Sequence, residues 1–123
     1  HEDQLRKDHG PVYFIKNFPV YTSPFWNMKL SENNNSISNK VDVILHGMET
    51  IGSAERSTNK EEMRKQFYSI SEGAYANILF SNFTKERVER ELDEFLKFNF
   101  IQRCGGGIGV TRMIRAMKLS NLL

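Results

Sequence analysis

The sequence predicts an α+β fold, an antiparallel β-sheet flanked by helices. Three observations predict it. Two apolar runs lie on either side of His46-Gly47, the pattern of a β-hairpin. Residues 60–67 and 85–97 each follow a capping signal, and the second carries apolar residues at helical spacing. A glycine-rich stretch near the end leads into Val110, Met113, Ile114 and Met117, again at helical spacing.

Taken in order, residues 1–9 are charged, with only Leu5 apolar, and read as the end of a helix that Gly10-Pro11 breaks. Val12-Tyr13-Phe14-Ile15 reads as a buried strand and Asn17-Phe18-Pro19 as a turn. Val20 to Met28 contains Pro24 followed by Phe25-Trp26, which predicts extended or irregular chain. Residues 31–40 are polar turn-formers and read as a surface loop. Val41 to Leu45 is a strand, His46-Gly47 a turn, and Met48 to Ala54 the returning strand. Ser57-Thr58-Asn59 with Glu61-Glu62 caps a helix over 60–67. Ala74, Ile78, Leu79 and Phe83 place a helix over 72–83. Thr84 caps the next, over 85–97, with Val88, Leu92, Phe95 and Leu96 on one face. Phe98 and Phe100 alternate with polar residues, which predicts a strand running into the glycines. The aromatic group Phe14, Phe18, Phe25 and Trp26 lacks interleaved arginines and reads as core rather than a base-stacking surface.

Composition narrows the classes. A chain of 123 residues is one domain or part of one. An apolar content of 39%, with nine Phe, is enough for a core. The net charge of +2, with acids and bases interspersed, makes no electrostatic case for nucleic-acid binding. The single cysteine excludes an internal disulfide and a cysteine-built zinc site, and fits a reducing compartment. No stretch reaches the roughly 18 consecutive apolar residues of a membrane span. There is no signal-peptide pattern, so the expected location is cytoplasmic. His1, His9 and His46 stand in no recognisable relation to a serine nucleophile, and no histidine is near Cys104 in sequence. Nucleophilic catalysis is set aside.

The chemistry-bearing residues fall in two places. The run from Cys104 to Arg112 holds four of the chain's eight glycines, Gly105, Gly106, Gly107 and Gly109. Such a backbone can lie flat against a ligand, and Arg112, on the first turn of the following helix, can meet a phosphate. The same glycines also suit close strand–helix packing alone. The second place is the hairpin. If His46-Gly47 form its turn, Ile44 pairs with Glu49, and Asp42 lies diagonally along the same face, about 7–8 Å away. A carboxylate in the apolar strand 41–45 needs a partner. That partner is either magnesium held together with a nucleotide, or an ordinary Arg or Lys. Strict alternation from Glu49 aims Arg56 at the opposite face, unless a bulge marked by Gly52 restores it. Arg56 then serves either carboxylate recognition or a surface salt bridge.

Several of these residues line up at once. The order Pro24-Phe25-Trp26-x-Met28, then Asp42-x6-Glu49, then Gly52-Ser53-Ala54-Glu55-Arg56, then Gly105-Gly106-Gly107-Ile108-Gly109-x-x-Arg112 resembles the C-terminal half of a class II aminoacyl-tRNA synthetase core. The branch it is most similar to is the aspartyl and asparaginyl one. That branch includes the related ammonia-dependent asparagine synthetase. The resemblance runs from about Pro11 to Lys118.

The resemblance implies ATP and Mg2+ as cofactors and aspartate or asparagine as the amino acid. It implies that Arg112 clasps the γ-phosphate of ATP and that Asp42 and Glu49 hold the magnesium. Arg56, with Ser53, receives the amino acid, and Phe25 and Trp26 stand beside the site. Gly105, Gly106, Gly107 and Gly109 form the floor under the adenosine. The implied reaction is attack of the amino-acid carboxylate on the α-phosphate, giving an aminoacyl adenylate. The adenylate then passes to tRNA or, in the asparagine synthetase, to ammonia. A non-catalytic paralogue that keeps the sheet is the further alternative. Three positions depart from the pattern. Arg103-Cys104 stands where a histidine and a small residue usually precede the final motif, Met48 stands at an often acidic place, and Gly52 where a serine can help bind metal. The first two family motifs are absent. Residues 1–123 are therefore expected to be the C-terminal part of a catalytic domain whose first half is missing, inactive alone. The full-length protein is expected to be a homodimer without membrane association. The 85–97 and final helices are expected to pack on the sheet, and sheet edges or apolar surface to be exposed.

Overall fold

The structure, a computed structural model, describes residues 2–23 and 25–123. His1, and Pro24 of the proline-aromatic segment, lie outside the described residues. Helix α1 (Glu2–His9) ends at Gly10, which adopts a left-handed φ of 85°. Strand β1 (Val12–Pro19) follows, then a single 3-10 turn at Val20–Thr22. Strands β2 (Leu30–Ser31), β3 (Asn34–Leu45) and β4 (Met48–Arg56) come next. Helices α2 (Lys60–Ser69), α3 (Ala74–Phe83) and α4 (Lys85–Leu96) form a contiguous block. Strand β5 (Arg103–Ile108) and helix α5 (Val110–Leu119) complete the order.

The described strands make one antiparallel sheet in the order β1-β3-β4-β5, with β2 also paired to β3. This is the α+β class the sequence predicts. Among the described residues no helix is long and apolar enough to cross a membrane.

Four local expectations are corrected. Residues 34–40 are not a surface loop but the first half of β3. Ser38 pairs with both Phe18 and Leu30 and is fully buried, its hydroxyl 2.6 Å from that of buried Ser23. Strand partners on both sides satisfy a backbone whose own residues favour turns. Asn17-Phe18-Pro19 is not a chain reversal. The strand continues through it past a bulge, and Asn17 takes a φ of 63°. Phe98 and Phe100 precede the strand instead of lying in it, because β5 starts at Arg103. Phe100 packs on Phe95 and lies beneath the Arg103 guanidinium. Finally, the four aromatics do not share a core. Phe14 is 66% exposed and Phe25 53%, while Trp26 alone makes edge contacts with Phe67 and Phe95.

The helices bury their own core. Met63 and Phe67 of α2, Ala76 of α3, and Val88, Leu92 and Leu96 of α4 form one cluster, with Trp26 packed against it. The predicted stripe on α4 is thus the buried one, but it faces α2 and α3 rather than the sheet. Asn59 caps α2, accepting from the Glu62 amide at 3.1 Å, while the Ser57 hydroxyl donates to the Glu62 carboxylate. Thr84 takes the N-cap position of α4 without a side-chain cap bond, because its φ of 66° turns the chain sharply there. Helix α5 does lie along the hairpin. Its N-cap residue, Gly109, donates its N–H to the Thr50 carbonyl, and beyond its far end the Ser120 hydroxyl sits 2.8 Å from His46 Nε2.

Candidate functional site

The hairpin turn comes first. His46 and Gly47 take φ values of 50° and 77°, the left-handed pair that a two-residue turn between right-twisted strands requires. Leu45 then pairs with Met48 and Ile44 with Glu49, the register read from the sequence. One step later the ladder slips. Val43 pairs with Ile51, so Thr50 is an extra residue in β4. The bulge lies at Thr50, two residues before the glycine expected to mark it. From there Asp42 pairs with Gly52 and Lys40 with Ala54.

This slip decides which side chains share a face. Residues paired across an antiparallel ladder point the same way, and alternate residues along a strand do too. Ile44, Asp42 and Lys40 therefore share one face with Glu49, Gly52, Ala54 and Arg56. Were Thr50 paired in regular alternation instead of bulged out, Arg56 would face the other side. Strand β5 continues the face with Gly107 beside Gly52 and Gly105 beside Ala54. Of these, Lys40, Glu49, Gly52, Ala54, Arg56 and Gly107, together with Ser53, Gly106, Thr22, Phe25 and Met28, line an open cleft of about 550 Å³.

The glycines make room for the charged groups. A Cβ on Gly52 would stand 2.9 Å from Glu49 Oε1 and 3.5 Å from Asp42 Oδ1, so both carboxylates converge on that position. A Cβ on Gly105 would meet the Arg56 guanidinium at 3.1 Å. A Cβ on Gly107 would meet nothing within 4 Å, leaving bare strand facing the cleft. Gly106 serves packing instead. A Cβ there would come within 2.6 Å of the Gly52 carbonyl.

Asp42 is buried, with 7% of its side chain exposed, and its Oδ2 is ion-paired to Lys40. Its Oδ1 is buried without a hydrogen-bond partner. A buried carboxylate oxygen in that state can accept from a donor or ligate a cation. The residues present fit a divalent ion shared with a ligand. Two hard oxygens flank one open position, and among the described residues no third His, Cys, Asp or Glu joins them. Magnesium typically takes one or two carboxylates and fills its remaining sites with phosphate oxygens and water.

Arg56 donates to the Asn27 side chain (3.4 Å) and the Gly105 carbonyl (3.2 Å), and its guanidinium lies 5.5 Å from the Phe25 ring centre. Among the described residues it has no carboxylate partner, so its charge is available to an incoming acid or amide. The neighbouring Glu55 faces the reverse side. There Lys29 (2.9 Å) and Asn39 (3.0 Å) hold it, and these bonds, led by that from Lys29, keep its carboxyl below the ordinary glutamate range. Ser53 borders the cleft, but alternation puts its side chain on the reverse face, and its hydroxyl donates to the Val41 carbonyl.

Arg112 projects from the first turn of α5, and its Nη1 donates to the Glu49 carbonyl at 2.7 Å. It stands at the hairpin-turn end, with Arg56 at the far end of the same strand face and the carboxylates between. Arg103 pairs with Arg56 but folds back over Phe100. Lys40 and Asn27 had no place in the sequence reading. Alternation from Asp42 would have found Lys40 had residues 34–40 been read as strand. Asn27 comes from irregular chain and left no such signal.

A protein-family model described as tRNA synthetases class II (D, K and N) matches residues 2–121. An aspartate–tRNA(Asp) ligase from Pyrobaculum aerophilum is 34% identical over 62 residues, which are 50% of this chain and 14% of that protein. In fold, the chain is similar to an asparaginyl-tRNA synthetase from Entamoeba histolytica solved with asparaginyl-adenylate. That match has a TM-score of 0.70 and 19% identity, over 94% of this chain and 24% of that one. An asparaginyl-tRNA synthetase from Pyrococcus horikoshii gives a TM-score of 0.68 at 19% identity, over 99% of this chain and 27% of that one. The chain thus spans about a quarter or less of these relatives.

Proposed function

From the premise that this chain belongs to the class II tRNA synthetase family (D, K and N), we propose that it carries part of an adenylate-forming site in a longer protein. The full-length protein activates aspartate or asparagine with ATP and magnesium. The acceptor is tRNA, and the working form is a homodimer. The observation that carries the reading is the shared face of Asp42, Glu49, Gly52 and Arg56, with Arg112 docked on Glu49.

Each group has a role in that reaction. The amino-acid carboxylate attacks the α-phosphorus of ATP; the bond to the bridging oxygen breaks, and pyrophosphate leaves. Arg56, without a carboxylate partner among the described residues and backed by Phe25, receives the amino-acid side chain. Asp42 and Glu49 hold the magnesium, which, when bound, offsets charge on the phosphates. Arg112 meets the γ-phosphate from a helix whose N-cap amide, that of Gly109, is fixed to the Thr50 carbonyl. The bare strand at Gly107 lets the nucleotide lie against the backbone. Catalysis is by position and fixed charge, and no side chain forms a covalent intermediate.

ATP–pyrophosphate exchange on the full-length protein tests this. Exchange with one of the two amino acids is expected, and its identity names the substrate. Exchange with neither refutes the proposal. Exchange with aspartate that yields free asparagine when ammonia is supplied, with no transfer to tRNA, would instead assign the asparagine synthetase reaction.

A further inference from the structure

Lys40 is a charged residue of the cleft that the reaction above does not use. It lies on the site face of β3, two residues before Asp42, and is paired to that carboxylate. Only 12% of its side chain is exposed. Its ammonium also sits 3.7 Å from the centre of the Phe18 ring. Cation–π attraction strengthens when the cation is desolvated, so the ring and the carboxylate together fix the ammonium in one place. The strand that carries Phe18 is the direct partner of the one that carries Lys40.

We infer that Lys40 is a resident counter-ion that keeps free divalent metal out of the Asp42–Glu49 pair, so that the metal enters only with a nucleotide. This rests on the proposed magnesium role of those two carboxylates. The ammonium occupies one oxygen of Asp42 and leaves Oδ1 unpartnered. Asp42, Glu49 and Lys40 together carry a single net negative charge. A hydrated divalent ion meets one shielded carboxylate and one open one, with few other oxygens to replace its water. A triphosphate supplies both the missing negative charge and the missing oxygens. Asp42 Oδ1 then completes the shell while Oδ2 stays on Lys40. The lysine thus sets the order of arrival.

The test follows Mn2+ by electron paramagnetic resonance, with the full-length protein and a non-hydrolysable ATP analogue, each reading taken against the same analogue without protein, which binds Mn2+ by itself. Wild type is expected to leave Mn2+ free when no analogue is present and to take it up beyond that blank when the analogue is added. Lys40→Met is expected to bind Mn2+ alone about tenfold more tightly than wild type or better, since a unit charge beside the ligand is removed. Phe18→Leu keeps the charge but frees the ammonium, and a smaller gain in the same direction is expected. It serves as the second variant should Lys40→Met not fold. Wild type binding Mn2+ alone as tightly as with the analogue would overturn the inference. So would an unchanged affinity for Mn2+ alone in folded Lys40→Met and Phe18→Leu proteins that still take up Mn2+ with the analogue. Failure of every protein to take up Mn2+ with the analogue would remove the magnesium role of Asp42 and Glu49, and this inference with it.

Discussion

At the scale of single residues, the site depends on which positions lack a side chain. A methyl on Gly52 meets Glu49 Oε1 at 2.9 Å, the mobile end of a side chain, so the fold can yield. Gly52→Ala is expected to leave the melting temperature nearly unchanged and to weaken binding of the metal–nucleotide. Titration calorimetry with the ATP analogue and Mg2+ checks this, and unchanged affinity would remove Gly52 from the site. A methyl on Gly106 meets backbone instead, at 2.6 Å from the Gly52 carbonyl. Gly106→Ala is expected to cost about 1–3 kcal/mol of stability, read from denaturant unfolding. Arg56→Ala is expected to raise the amino-acid KM in pyrophosphate exchange while the ATP KM stays within about threefold, because its guanidinium has no carboxylate partner among the described residues. Asp42 stands out in sequence as a charge inside an apolar strand, and the structure brings it onto one face with Glu49 and Arg56. Lys40 does not stand out, because it sits at the end of a polar run whose composition says loop.

At the scale of elements, the helices were the legible part. Helical spacing on α4 marks Val88, Leu92 and Leu96, and all three are buried. Leu92→Ala is expected to destabilise by about 2–5 kcal/mol, measured by chemical denaturation. The strands were legible where they are apolar and illegible where tertiary pairing makes them. Residues 34–40 are strand because β1 and β2 flank them, which no local propensity encodes. The Phe98–Phe100 alternation misled for the opposite reason. Those rings pack around Phe95 beside a helix end and pair with no strand. Between β4 and the segment before β2, Glu55 and Lys29 form a tie with a defined pH response. The carboxyl of Glu55 is held below its ordinary value of 4.5, chiefly by the bond from Lys29. Its contribution to stability is therefore complete above that value and lost as pH falls through the depressed one. Glu55→Gln is expected to narrow the difference in melting temperature between neutral and acid pH. Identical acid limbs for variant and wild type would deny Glu55 this role.

At the scale of the whole molecule, the helical block α2–α4 has its own core, while the cleft belongs to the sheet and α5. Hydrogen exchange of the full-length protein with the ATP analogue is expected to slow in β3, β4, β5 and the first turn of α5. The amides of α3 and α4 are expected to exchange at unchanged rates. Exposed Ile108, Val110 and Ile114 continue from β5 onto α5, the apolar surface expected of this part of the fold. The extra residue at Thr50 reaches furthest of all. It acts as a parity switch, since strand faces count in twos. Were Thr50 taken into the ladder as an ordinary pair, every residue after it would turn over. Gly52, Ala54 and Arg56 would move to the back, and Ser53 and Glu55 to the front, so that the far end of the cleft would exchange a cation for an anion. Deleting Thr50 has no such effect, because Glu49 and Ile51 then alternate directly and keep their partners Ile44 and Val43. One unpaired residue thus sets the sign of charge at that end of the pocket.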